Sequence, residues 1–159
     1  MSAPRTVIVQ TLSAEDMDYI WSVDIDTLSP VGLRDYAIVC VGLTMGFRVI
    51  DIVSLRFENI NWKRRSICLT QEKTGKNIAL PMPVKTGNIL FRYLRDGRPE
   101  SADVHVFIKH KAPFKGLHRC EIQFIQNFLH PVGFGNVDQV DQLIAHWLFL
   151  PKNPLFCKK

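Results

Sequence analysis

Thr44-Met45-Gly46-Phe47-Arg48-Val49-Ile50-Asp51 decides how this chain is read. Upstream of it, Leu33, Ala37, Cys40, Val41 and Thr44 recur at helical spacing. Ile38, Val39 and Leu43 make the opposite face apolar as well, which predicts a central helix buried on all sides. Ser29-Pro30 opens that helix, with the serine as N-cap and the proline at the first helical position. Gly46 closes it, because glycine enters the left-handed conformation of a C-cap without a side-chain clash. A short helix over 49–54 follows almost at once. Arg48 stands at the joint, with Asp51 three residues on. A lone arginine at a helix joint is ordinarily a surface or helix-pairing residue. An acid in a first turn is favoured by the helix dipole whatever else it does. A functional reading of either residue therefore needs support from the parts downstream.

Downstream the period shortens to two. Ser66-Ile67-Cys68-Leu69-Thr70 and Asn77-Ile78-Ala79-Leu80 read as strands joined by the polar turn Gln71-Glu72-Lys73-Thr74-Gly75-Lys76, a hairpin with a basic tip ended by Pro81 and Pro83. A helix over 84–95 runs through Ile89, Leu90, Tyr93 and Leu94 and stops at Gly97 and Pro99. Residues 104–108 are expected as a third strand, and 117–129 as a helix ended by His130-Pro131. Before the central helix, Ser13 caps a helix carrying Glu15 and Asp16 in its first turn and an apolar stripe of Met17, Ile20 and Trp21. The expected fold class is α+β, mainly α, with a small antiparallel three-stranded sheet at its edge.

The totals bound this reading without sharpening it. A chain of 159 residues with 47% hydrophobic content forms one domain with an ample core. A net charge of +5 favours an anionic partner only mildly, since a slightly basic solvated surface explains it equally well. Cys40, Cys68, Cys120 and Cys157 make no CxxC pair, so neither a zinc site nor a disulfide framework is indicated; Cys40 and Cys68 read as small core residues. The longest apolar run, 37–45, is too short to span a bilayer, and no signal-like segment follows the N-terminus, so a cytoplasmic protein is expected. No metal, cofactor, membrane or small-molecule substrate is expected.

One order of parts links these observations. A buried helix leads to Gly46-Phe47-Arg48, then to a short helix with Asp51, then to Leu55 and Asn59-Ile60-Asn61-Trp62, and then to a hairpin bearing Lys73-Thr74-Gly75-Lys76. That order resembles the first half of a tyrosine recombinase (phage integrase) catalytic domain, most specifically between residues 34 and 83. Thr44 falls one place early against the family's Thr-Gly-x-Arg. The resemblance divides the chain into an extended lead-in at 1–11, a partial catalytic domain at 12–131 and a divergent tail at 132–159. It implies double-stranded DNA as partner and a tyrosine nucleophile that attacks a phosphodiester. It makes Arg48 a guanidinium clamp on the phosphate oxygens, Asp51 its hydrogen-bonded support, and Lys73 a general acid for the leaving sugar oxygen. Taken alone, a lysine on an exposed turn is more often a solvated tip. Lys76, Arg64 and Arg65 are expected at DNA phosphates, with Lys109 and Lys111 behind them.

The chain departs from the family in its second half. No His-x-x-Arg occurs. His146-Trp147-Leu148-Phe149 stands near its place with phenylalanine for the arginine, and a histidine on an apolar helix is an equal reading of His146. The only tyrosines, Tyr19, Tyr36 and Tyr93, all lie upstream of the expected nucleophile. The sequence therefore predicts a DNA-binding protein of site-specific recombination and integration that does not cleave strands by itself, its tail divergent through truncation or a frame shift. The alternatives are a partner chain that supplies the tyrosine, and a non-catalytic helical module whose copies associate through Leu148, Phe149, Leu155 and Phe156.

Overall fold

In a computed structural model of the chain, residues 13–118 are described. α1 (Ala14–Trp21) begins at a capping box: the Ser13 hydroxyl accepts from the Asp16 amide and the Asp16 carboxylate accepts from the Ser13 amide. Met17 and Ile20 are buried beneath it, and Trp21 packs against the core from its edge. A 3-10 turn over Ile25–Thr27 leads to α2 (Pro30–Met45), capped by the Ser29 side chain on the Gly32 amide. Every residue from Leu33 to Met45 is buried, as two apolar faces require. The segments Val49–Val53 and Val84–Arg92, with the turn Tyr93–Gly97, pack on this helix.

α3 (Val49–Val53) follows α2 across Gly46, and a 3-10 turn over Phe57–Asn59 leads into the sheet. The sheet has strand order β1 (Ile60–Asn61), β2 (Ser66–Thr70), β3 (Asn77–Pro81), antiparallel throughout. Along β2, Ile67 and Leu69 face the core while Cys68 and Thr70 face outward. Cys68 is thus exposed, contrary to its reading as a core residue: its neighbours are apolar, but the two-residue period of a strand sends it to the other face. Cys40 is fully buried in α2, where desolvation pushes its thiol up to about 12.

The third strand is also not where the sequence suggested. Residues 104–108 do not join the sheet; they contribute two isolated bridges, Arg56 with His105 and Ile108 with Gly116. Val106, Phe107 and Ile108 are buried in succession rather than in alternation. Their carbonyls are taken largely by arginine side chains. Arg98 donates to the carbonyls of Asp103, His105 and Val106, and Arg34 donates to that of Ile108. The rest of this segment's backbone pairs outside the sheet, the Phe57 amide donating to the Val104 carbonyl, the Val106 amide to the Leu55 carbonyl and the Leu117 amide to the Phe107 carbonyl, so the short β1 takes the third place.

α4 (Val84–Arg92) continues into a wider π turn over Tyr93–Gly97, which runs two residues past the single helix expected over 84–95. Leu117 and His118 are outside any helix, and the rest of the helix expected there, together with the tail, lies outside the described residues. Among the described residues, no helix is long and apolar enough to cross a membrane.

Candidate functional site

Gly46 is the pivot of the site. Its φ of 67° is left-handed, and its amide donates to the Gly42 carbonyl at 2.9 Å, which closes α2 and turns the chain. Phe47 then plugs fully into the core. With Phe47 fixed inward, Arg48 begins α3 from an extended conformation and is half-buried. Its Nη1 is buried and has no hydrogen-bond partner among the described residues. An unpaired buried guanidinium nitrogen is expensive unless a donor-seeking group completes it.

Asp51 is 3% exposed, yet it does not hold Arg48. Its Oδ1 accepts from the backbone amide of Glu72 at 3.0 Å, across 21 residues, and its Oδ2 is buried without a partner. The expected Arg48–Asp51 hydrogen bond is absent because Arg48 is the N-cap of α3 and not one of its helical residues. Its extended backbone carries the side chain away from the i,i+3 geometry of a helix face. Asp51 instead fastens the base of the β2–β3 turn to α3, one residue from Lys73.

That turn is built to stay in place. Gln71 and Lys76 close it through the Lys76 carbonyl at 2.8 Å, and the Gly75 amide donates to the Gln71 carbonyl at 2.8 Å. Gly75 takes a left-handed φ of 65° with open space around it. The Thr74 hydroxyl donates to the Gln71 side chain. Lys73 and Lys76 project from this frame, both exposed, without an ion-pair partner among the described residues. Thr44, the residue one place out of the family pattern, is buried and binds the Cys40 carbonyl and the Thr86 hydroxyl, joining α2 to α4.

The structure does not bring the other sequence candidates to this place. Arg64 and Arg65 sit on the β1–β2 turn, at the opposite end of β2 from Lys73, roughly 16 Å of strand away. His146 lies outside the described residues, as do Leu148, Phe149, Leu155 and Phe156. Tyr36 and Tyr93 are core residues. The Tyr36 hydroxyl donates to the Ile20 carbonyl, and burial pushes the Tyr36 phenol up and that of Tyr93 up to about 12. Neither is placed or ionised as a nucleophile. Tyr19 is exposed on α1. Among the described residues, no group of three or more His, Cys, Asp or Glu could hold a metal ion.

Sequence reasoning missed the tie from Asp51 to the Glu72 amide. The available signal was a carboxylate placed within an otherwise apolar five-residue helix, which must find a donor somewhere.

A half-buried arginine at the joint of two helices, the second tied through Asp51 to a basic β-hairpin, sits on a mainly helical fold with a three-stranded antiparallel sheet, the fold class of tyrosine recombinase catalytic domains. The chain belongs to the phage integrase family, whose sequence profile matches residues 10–131. It is 31% identical to the putative integrase/recombinase y4rA of Sinorhizobium fredii (strain NBRC 101917 / NGR234) over 130 residues, 82% of this chain and 28% of that protein. It is 34% identical to the tyrosine recombinase XerD of Ralstonia nicotianae over 92 residues, 57% of this chain and 29% of that protein. Among solved structures, the XerA recombinase superposes with a TM-score of 0.65 at 18% identity, over 83% of this chain and 47% of that one. The lambda integrase catalytic core gives a TM-score of 0.57 at 14% identity, over 86% of this chain and 81% of that one. The chain thus spans less than a third of the length of both curated relatives.

Proposed function

We propose that residues 12–131 form the first half of a recombinase catalytic domain that binds double-stranded DNA and takes part in site-specific recombination and integration. The observation that carries this reading is the unpaired, buried Nη1 of Arg48, one turn from an Asp51 already committed to the hairpin. A phosphate would satisfy the Arg48 guanidinium through charge-assisted hydrogen bonds that strengthen as negative charge builds on the non-bridging oxygens. Lys73, held near by the Asp51–Glu72 tie, would protonate the departing sugar oxygen, and Lys76 would meet a neighbouring phosphate. Asp51 is then a positioning residue for the lysine turn and not for the arginine. A solved XerH recombinase bound to a palindromic difH substrate has the same fold at a TM-score of 0.67 and 13% identity, over 89% of this chain and 42% of that one, which agrees with a DNA partner.

Within this sequence no tyrosine is suited to nucleophilic attack, so the chain by itself is proposed to bind DNA without cutting it. It would act where DNA is held, in the cytoplasm. Incubation with a nicked suicide DNA substrate tests both halves. The expected result is retention of DNA at low salt and no covalent protein–DNA adduct. A robust adduct would refute the absence of cleavage, and a failure to retain duplex DNA at any salt would refute the DNA site.

A further inference from the structure

A groove of about 360 Å³ opens between the β1–β2 turn and α4. Its walls are Trp62, Arg65, Met82, Pro83, Val84 and Phe91. Three of these are large apolar side chains left in solvent: Val84 is 57% exposed, Phe91 53% and Trp62 42%. Trp62 and Phe91 meet edge to face at 6.2 Å, so they stand as two sides of one cleft. Single exposed apolar residues are ordinary, but three around one concavity are the mark of a binding surface.

The charge at the groove has one sign. Among the described residues, Arg65 is the only charged residue that lines it, and no carboxylate does. Lys63 and Arg64, both exposed, extend the positive charge along the turn. Arg95 lies with its guanidinium 5.8 Å from the centre of the Phe91 ring, but Asp96 already holds it. Arg65 has no ion-pair partner among the described residues.

Arg65 is also held at a cost. Its φ is 49°, the one left-handed residue other than glycine among those described. For an L-residue that conformation costs roughly 1–2 kcal/mol, which a glycine would avoid. The turn fixes it from both sides. The Arg64 amide donates to Asn61 Oδ1 at 2.9 Å, and the Met82 amide donates to the Arg65 carbonyl at 2.7 Å. A strained position that keeps an arginine over an apolar cleft points to use of the side chain.

We propose that this groove docks a segment of a protein partner in which an apolar anchor is flanked by carboxylates. The anchor would fill the cleft between Trp62 and Phe91 while an Asp or Glu pairs with Arg65. A single nucleic-acid strand fits less well. It needs open ring faces in sequence and a track of cations, whereas these rings stand edge to face and the lining carries one cation. The groove lies at the far end of β2 from Lys73, so a docked partner leaves the lysine turn free, and the proposal does not depend on the DNA-binding reading.

The test is selection of a random displayed peptide library on the full chain, followed by fluorescence anisotropy with a selected peptide. Selected sequences should pair Leu, Phe or Trp with neighbouring Asp or Glu. Arg65→Gly, which suits the left-handed turn, and Phe91→Ala, at an exposed position, should each weaken binding by about tenfold or more. Arg65→Glu should turn the selection toward basic peptides. No acidic–apolar enrichment, or binding indifferent to both Arg65→Gly and Phe91→Ala, would overturn the proposal. So would a labelled oligothymidine that binds in an Arg65- and Phe91-dependent manner while the selected peptides do not.

Discussion

Two arginines bracket the central helix, and they have opposite fates. Arg34, near the start of α2, is 7% exposed and fully employed: Nε donates to Asp35 at 2.9 Å and Nη1 to the Ile108 carbonyl at 3.2 Å. Arg48, just past the end of α2, is half-buried, and its nearest acid in sequence serves another group. The first ties the 104–108 segment to α2. The second is left with a nitrogen that nothing among the described residues satisfies. Burial of a charge therefore does not by itself tell a committed arginine from an available one; the state of its hydrogen-bond partners does.

The largest effect expected from this contrast is on stability. Arg34→Ala strands Asp35 in the core and should cost about 3–5 kcal/mol in denaturant unfolding. Arg48→Ala removes an atom that is already unsatisfied and should change stability by less than about 1 kcal/mol. Equal losses in the two variants would erase the distinction. Next comes Asp51→Ala, which frees the Glu72 amide and should cost about 1–3 kcal/mol. Hydrogen exchange at the Glu72 amide should rise well above that of the β2 ladder, and unchanged protection there would remove Asp51 as the hairpin's anchor.

A smaller effect concerns pH, at the Arg34 end. His110 stacks on Tyr93 with ring centres 6.2 Å apart, and burial first, then Arg34, hold its imidazole down to about 4 from 6.5. Asp35 is pushed by burial from 3.8 to about 6, against the pull of Arg34. The signs oppose. A depressed histidine gives stability that is present above pH 6.5 and lost as pH falls through about 4. A raised carboxyl gives stability that is present below pH 3.8 and lost as pH rises through about 6. Between pH 6 and pH 4 the two offset each other in the native chain. His110→Phe should uncover the Asp35 contribution, so that its melting temperature rises relative to wild type as pH falls across that window. A parallel pH profile for the two proteins would show that the pair does not titrate this way. The smallest effect is expected at Cys68→Ala, on the outer face of β2, within about 0.5 kcal/mol.

Much of this architecture was legible because local chemistry fixed it. Ser13, Ser29 and Gly46 declare helix ends through capping, and the β2–β3 hairpin declares itself through a two-residue period around a glycine turn. The strand expected at 104–108 was misread because its apolar content is real while its carbonyls are claimed by Arg34 and Arg98, far away or across a loop, which no local pattern records. At the site, the sequence indicated that Arg48, Asp51 and Lys73 belong to one region. It could not indicate that Asp51 would choose a backbone amide over its neighbouring arginine, because that choice follows from the extended backbone at Arg48. The Trp62–Phe91 cleft joins residues 29 positions apart from two elements, and only the packing of the turn on α4 reveals it.

The central proposal is that Arg48, whose Nη1 has no partner among the described residues, meets a DNA phosphate. Its most direct test is the salt dependence of duplex DNA binding by the wild-type chain and by Arg48→Ala. Each phosphate contact contributes about one unit to the slope of log K against log salt. The account predicts weaker binding by Arg48→Ala at low salt and a slope shallower by about one unit, with the fold intact by circular dichroism. A folded Arg48→Ala variant with the wild-type affinity and the wild-type slope would contradict it.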